Sequence, residues 1–238
     1  MNKTRKRLLI ILIGFICVYF LLLLFPSIFF KHKIEYKSFI IYSHSEAGKK
    51  IFPILDSAEN LIRYSDLYKK ETGKFKVFLC NSFFEYSVFA PTERNAFASN
   101  NILTNNIFLS KSDIDQNRVE RHNDENNLRT LSGVIAHEAT HTLIKRDLGF
   151  ISYLLLDTWK NEGYSDFIAK ESSFEYIIGM YFICNSKTPS SPSFKYFKYR
   201  MYLQYLIDVK GLSFNQIANQ NFKLTDLDKE IQKKYCGK

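Results

Sequence analysis

The sequence predicts an α+β domain behind one N-terminal transmembrane helix, on three observations. No residue from Leu8 to Phe30 carries a charge. Strand-like segments fall before residue 111, whereas beyond residue 130 the apolar residues recur at helical spacing. The remainder, in a chain of 238 residues that is 46% hydrophobic and 24% charged, is long enough for one good-sized folded domain. No repeat, low-complexity linker or internal boundary divides that remainder, so the chain reads as residues 1–33, a basic tail and membrane anchor, and residues 34–238, a single domain.

The first element is the span itself. Twenty-three uncharged residues (LLIILIGFICVYFLLLLFPSIFF) at a helical rise of about 1.5 Å cover roughly 35 Å, enough to cross a bilayer core, with Pro26 and Ser27 marking the outer end. A cleaved signal peptide shares the basic start, but this apolar region is long and lacks an A-x-A-like cleavage site. Lys3, Arg5, Lys6 and Arg7 precede the span, and Lys31 and Lys33 follow it. The positive-inside bias therefore predicts a single-pass protein with its N-terminus in the cytoplasm and residues 34–238 on the periplasmic or exterior side, held to the lipid bilayer through residues 8–30.

Those six basic residues also account for most of the net charge of +9: removing them from 33 leaves 27 basic against 24 acidic residues. No arginine-rich helix or basic and aromatic ribbon stands out beyond them, which argues against nucleic acid as a partner. Of the four cysteines, Cys17 lies in the span. Among Cys80, Cys184 and Cys236, a Cys184–Cys236 disulfide is the preferred pairing because Cys80 in KVFLC has the setting of a buried strand residue; three buried thiols are the alternative.

The domain's elements follow in order. Residues 45–70 show helical spacing, with Pro53 expected to kink or restart the helix and Gly73 to end it. KFKVFLC (74–80) reads as a strand, NSFFEYSVF (81–89) as a short helix capped by Asn81 or Ser82, and NILTNNIFLS (101–110) as two short strand-like runs around Asn105 and Asn106. A polar stretch occupies 110–129. Two central helices come next, and then helices over roughly 174–184, 194–209, 213–219 and 225–235, with turns at Pro189, Pro192 and Gly211.

The first central helix, expected over Thr130 to Arg146 and ending at Gly149, contains VIAHEATHTLI (134–144). Four residues advance about 400° and 6 Å, so His137 and His141 project from one face a single turn apart, within reach of one ion. Leu131, Ile135, Ala139 and Leu143 form an aliphatic stripe, and Val134 and Ile144 bracket the histidines on another face. A helix apolar on two sides is buried, which turns the histidines toward the interior of a cleft.

A catalytic zinc site needs a third protein ligand and one open position. WKNEGYSDFIA (159–169) supplies a candidate in Glu162, with Asp166 one turn on to accept the second ring N–H of a ligating histidine. Two solvated carboxylates on a surface helix are the plain alternative. Gly163 argues against it, because a glycine inside a helix costs about 1 kcal/mol and points to a close backbone approach.

HEATH followed by WKNEGYSD resembles the gluzincin metallopeptidases, whose pattern is HExxH and then a glutamate ligand on a second helix, often within W-x-x-E-G. The likeness is strongest to the peptidase MA-like domains of bacterial membrane and secreted proteins; its motifs cover residues 131–170. The resemblance implies a zincin-like domain with a small sheet and a mostly helical C-terminal part. It further implies one Zn2+ held by His137, His141 and Glu162, with Glu138 as general base and Asp166 behind a ligating histidine. IFLS (107–110) is similar to the edge strand that lines the cleft in such proteins. The family's transition-state tyrosine or histidine has no matching position, which leaves Tyr164, Tyr153 and His122 as candidates.

The function expected on this reading is a membrane-anchored zinc peptidase that hydrolyses an extended peptide or protein substrate. One alternative is a zinc-binding domain without turnover that binds a peptide or protein partner. The other is a structural membrane protein in which HEATH is coincidental.

Overall fold

A computed structural model describes residues 3–69, 73–122 and 124–237, giving the backbone alone for 124–128. Helix α1 (Lys3–Leu24) buries no residue and is long and apolar enough to cross a membrane. It stops just short of Pro26, which opens a 3₁₀ turn over Pro26–Phe29; proline has no N–H with which to continue the helical ladder.

The main sheet has five strands: β1 (His32–Tyr36), β2 (Phe39–Ser43), β3 (Phe75–Leu79), β4 (Ala98–Asn100) and β5 (Asn106–Leu109). Their order across the sheet is β1-β2-β3-β5-β4. The hairpin β1–β2, unassigned from sequence, is antiparallel; β2, β3 and β5 run parallel, and β4 returns antiparallel to β5. Side chains alternate between the two faces, as the pleat requires. Phe39, Ile41, Phe75, Val77, Ile107 and Leu109 join the core built by α2 (Ile51–Ile62) and α4 (Leu131–Leu148). On the opposite face Tyr42, Phe78 and Phe108 stack in series, with ring centroids 4.6 and 5.0 Å apart, and Phe89 of α3 (Phe83–Phe89) continues the stack on Phe108 at 4.9 Å.

Several local expectations are corrected here. The helix expected over 45–70 is the shorter α2, with Pro53 as its third residue, where a missing N–H breaks no helical hydrogen bond and no kink is needed. Residues 63–67 are turns, 68 and 69 are irregular and Lys70 lies outside the described residues, so the helix ends well before Gly73. Of the two strand-like runs, NILT is a turn closed by Asn105 at φ 58°; its neighbour Ala98–Asn100 is the strand. IFLS is not an edge: β5 is paired on both sides and β4 is the edge. Asn and Gly tolerate positive φ, so Asn105 closes the turn while Asn106 opens β5. The polar stretch 110–129 contributes a second small sheet, β6 (Ser112–Asp113), β7 (Arg118–Arg121) and β8 (Asp124–Thr130), which leads straight into α4.

The rest is helical: α5 (Phe150–Leu155), unassigned from sequence, and then, as expected, α6 (Thr158–Ala169), α7 (Tyr176–Cys184), α8 (Pro192–Gln204), α9 (Phe214–Ala218) and α10 (Leu224–Cys236). Pro192 begins α8 instead of forming a turn, at a position where its fixed φ suits a helix start. A five-residue π-helical segment, Tyr205–Val209, prolongs α8. Cys184 and Cys236 are disulfide-bonded, 52 residues apart, tying α7 to the end of the chain; Cys80 is a buried free thiol. Closing a loop of that length stabilises a fold by about 4 kcal/mol. Cys184→Ser with Cys236→Ser is therefore expected to lower unfolding stability by about that amount, read from urea unfolding with the slope fitted separately for each protein, since the freed unfolded chain exposes more surface.

Candidate metal centre

The helix that carries the motif is fixed at both ends. Thr130 caps α4, its hydroxyl accepting the Gly133 N–H at 3.0 Å and donating to a Glu171 carboxylate oxygen at 2.7 Å. A Cβ on Gly133 would collide with that carboxylate and displace it from the cap. An acid at a helix N-terminus also complements the helix dipole. Gly149, at φ 82°, ends the helix. Between them every residue from Leu131 to Ile144 is buried, including both histidines and Glu138.

Helix α6 crosses α4 and brings Glu162 to the histidines. The two His Nε2 atoms are 3.1 Å apart. Glu162 places Oε2 3.5 Å from His137 Nε2 and Oε1 3.7 Å from His141 Nε2. Three donors around one tetrahedral zinc, at bond lengths of about 2.0–2.2 Å, would stand roughly 3.3–3.6 Å from one another. The observed 3.1, 3.5 and 3.7 Å, the last two to different Glu162 oxygens, fall within about 0.2 Å of that range, and two imidazoles with one carboxylate form a donor set that zinc accepts, so the residues present fit the ion. On its other side α6 packs closely on α8 through Gly163: a Cβ there would lie 2.5 Å from the Tyr199 carbonyl oxygen of α8. This is the backbone approach inferred from the sequence.

Each histidine is held from behind. Asp166 Oδ1 lies 2.8 Å from His137 Nδ1, a short charge contact not aligned as a full hydrogen bond. His141 Nδ1 is 2.9 Å from Asn161 Oδ1 and 3.2 Å from Ser165 Oγ. Such partners set the tautomer and ring orientation of metal ligands. Arg129, not singled out from sequence, is buried and pairs with Asp166 at 3.1 Å and Glu171 at 3.0 Å. It thus joins the cap of α4 to the carboxylate behind His137. Asp166→Asn is expected to weaken zinc affinity by about 10- to 100-fold, measured by competition with a chromophoric chelator.

The cluster gathers several carboxylates around two histidines, and burial and mutual charge shift them in opposite directions. Burial raises the Glu138 carboxyl, and with Glu93 and Glu162 near it the pKa reaches about 8, despite the opposing pull of His137 and Arg129. Glu162 is the reverse: burial works against its charge, but the two histidines outweigh that and bring it to about 2. Burial also opposes an imidazolium on His137, yet Asp166 and Glu162 raise its pKa to about 10, whereas burial lowers that of His141. A divalent ion in place of that proton satisfies the same carboxylates, and its charge favours the ionised form of Glu138.

The cluster floors a cleft of about 390 Å³, within the ordinary range for ligand sites. Edge strand β4 forms one wall through Ala98 and Asn100. Asn100 Nδ2 donates to the Glu138 carbonyl at 2.8 Å and to Thr142 Oγ1 at 2.7 Å, which locks the edge strand onto the motif helix. This link was missed because asparagine beside a turn carries no helix or metal signal.

Of the three candidate transition-state residues only Tyr153 lines the cleft. Burial raises its phenol to about 12, so it stays a proton donor at neutral pH. Tyr164 points the other way from α6, bonding Ser65 and Asp66 and lining a separate pocket with Phe167 and Leu212. His122 is packed against Phe83, ring centroids 5.2 Å apart, and is not among the residues of the cleft. Tyr196 of α8 also faces the cleft, unanticipated because its helix lies far along the chain. No protein-family model and no curated protein matches the chain, so the metal-binding geometry stands on these side chains alone.

Proposed function

We propose that this protein is a membrane-anchored zinc peptidase of gluzincin type, acting on extended stretches of peptide or protein. The observation that carries the reading is the ligand triangle of His137, His141 and Glu162 at 3.1, 3.5 and 3.7 Å, with Glu138 beside it in the same cleft. Bound there, zinc supplies Lewis-acid polarisation of a carbonyl and a nucleophile derived from water at neutral pH. Glu138 takes the proton released as the nucleophile adds and delivers it to the leaving amine. Tyr153 and Tyr196 offer phenolic donors to the oxygen that gains charge. The free side of β4 gives an extended chain a place to pair as an added strand, which favours peptides over compact small molecules.

Anchoring is supported by the apolar length of α1 and by the basic residues flanking it. The Cys184–Cys236 disulfide supports a location of the domain on the oxidising side, as the positive-inside bias suggests. The test is hydrolysis of an unbiased peptide library by the full-length protein in detergent, with zinc content measured on the same sample. One zinc per chain is expected, with cleavage that stops on chelation and returns on adding zinc. Full zinc occupancy without any cleavage would overturn the peptidase reading.

A further inference from the structure

The membrane helix does not stand clear of the domain. Residues from Lys3 to Val18 are uncovered, but Tyr19 donates from its hydroxyl to the Val88 carbonyl of α3 at 2.8 Å. Leu22 and Leu23 pack on the aromatic cluster of Phe30, Phe78, Phe89 and Phe108. Contact with the domain therefore begins within the apolar run.

That contact sets a depth. From Leu8 to Val18 is eleven residues, or about 16 Å of helix, roughly half of a 30 Å hydrocarbon core. Crossing requires that the segment from Tyr19 onward also lie at membrane depth, and whatever is bonded to Tyr19 lies there with it. The surface at this place is suited to lipid. Ile28 and Phe84 are each 79% exposed, and Phe25 and Phe29 are exposed beside them on the turn that packs against α3. Exposed Lys31 follows two residues after that turn, where lipid phosphates would be met.

The same surface leads into the cleft. Glu93 and the run Asn95–Ala98 line it, and Glu93 is five residues from Val88. Five residues span at most about 18 Å. We propose that the face formed by the Pro26–Phe29 turn and α3 is seated in the leaflet on the domain's side. The cleft is thereby held at the lipid surface, and its substrates are the juxtamembrane segments of other anchored polypeptides. The substrate class rests on the peptidase reading above; the seating does not.

The two parts are tested separately on the full-length protein in phosphatidylcholine vesicles. Phe84→Trp and Ile28→Trp change highly exposed residues, and each adds an indole whose emission is read against the parent's single Trp159. Lipids brominated on the acyl chain are expected to remove most of the added emission in both variants. Added emission that is unaffected in both would overturn the seating, and would be the outcome if the face binds a protein helix instead. The second arm uses one cleavable sequence, placed about 6 or about 40 residues from a membrane anchor on a flexible linker, or supplied free in solution. Faster cleavage of the near reporter than of the far and free ones is expected. Equal rates for near and far would overturn the substrate class. Quenched indoles with no reporter cut would uphold the seating and fail the peptidase reading.

Discussion

Glu138→Gln is expected to leave zinc content and folding unchanged while turnover falls by about 10²- to 10⁴-fold, the usual contribution of a general base. The substitution preserves size and hydrogen-bonding reach at a position that is 6% exposed and is not asked to hold the ion. It also removes an acid that burial disfavours, pushed up to about 8 in the metal-free site, so stability should hold or rise slightly. Because the carboxylate acts only as the proton moves, the loss should fall on kcat, with KM nearly constant. Wild type and variant are compared at equal zinc occupancy on peptides the wild type cuts. Equal rates would mean another base or a contaminating protease.

How much of this arrangement could be read in the sequence depended on whether the controlling interactions were local. HEATH and W-x-x-E-G sit on helices, where spacing alone sets which side chains share a face, so the two histidines and Glu162 could be brought to one point on paper. Gly163 announced a close approach without naming its partner, Tyr199, because a glycine shows only that something is near. The Cys184–Cys236 pairing was preferred because the strand setting of Cys80 was legible, but three buried thiols fitted the sequence as well. Pairing in the sheet was not. IFLS is as apolar as an interior strand should be, and it was assigned to the edge by likeness, whereas the true edge, Ala98–Asn100, is three residues long and nearly featureless. Arg129 was hidden for a different reason. A single arginine in a polar stretch is ordinarily solvated, and only the fold reveals that Asp166 and Glu171 enclose it. The tyrosines show the same limit: nothing in the sequence separated Tyr164 from Tyr153, and the fold alone puts Tyr164 of α6 in the core and Tyr153 of α5 along the cleft.

Glu162→Ala is expected to cut zinc affinity by more than the roughly 100-fold upper range for residues behind the ligands, since it removes one of three donors. The side chain is 26% exposed in the cleft, so its truncation opens space without leaving a void in the core. Its carboxylate is ionised in the metal-free site, held down near 2 by the two histidines. Removing it thus deletes a ligand and also the charge that offsets the divalent ion. The competing assignment is Glu93, another carboxylate lining the same cleft, which comes from the loop before β4 instead of from α6. Zinc per chain, measured after dialysis against a weak chelator for Glu162→Ala, Glu93→Ala and wild type, separates the two. Near-complete loss in the first with retention in the second is expected. The reverse pattern would move the third ligand to the loop, and with it the side of the ion left open to substrate.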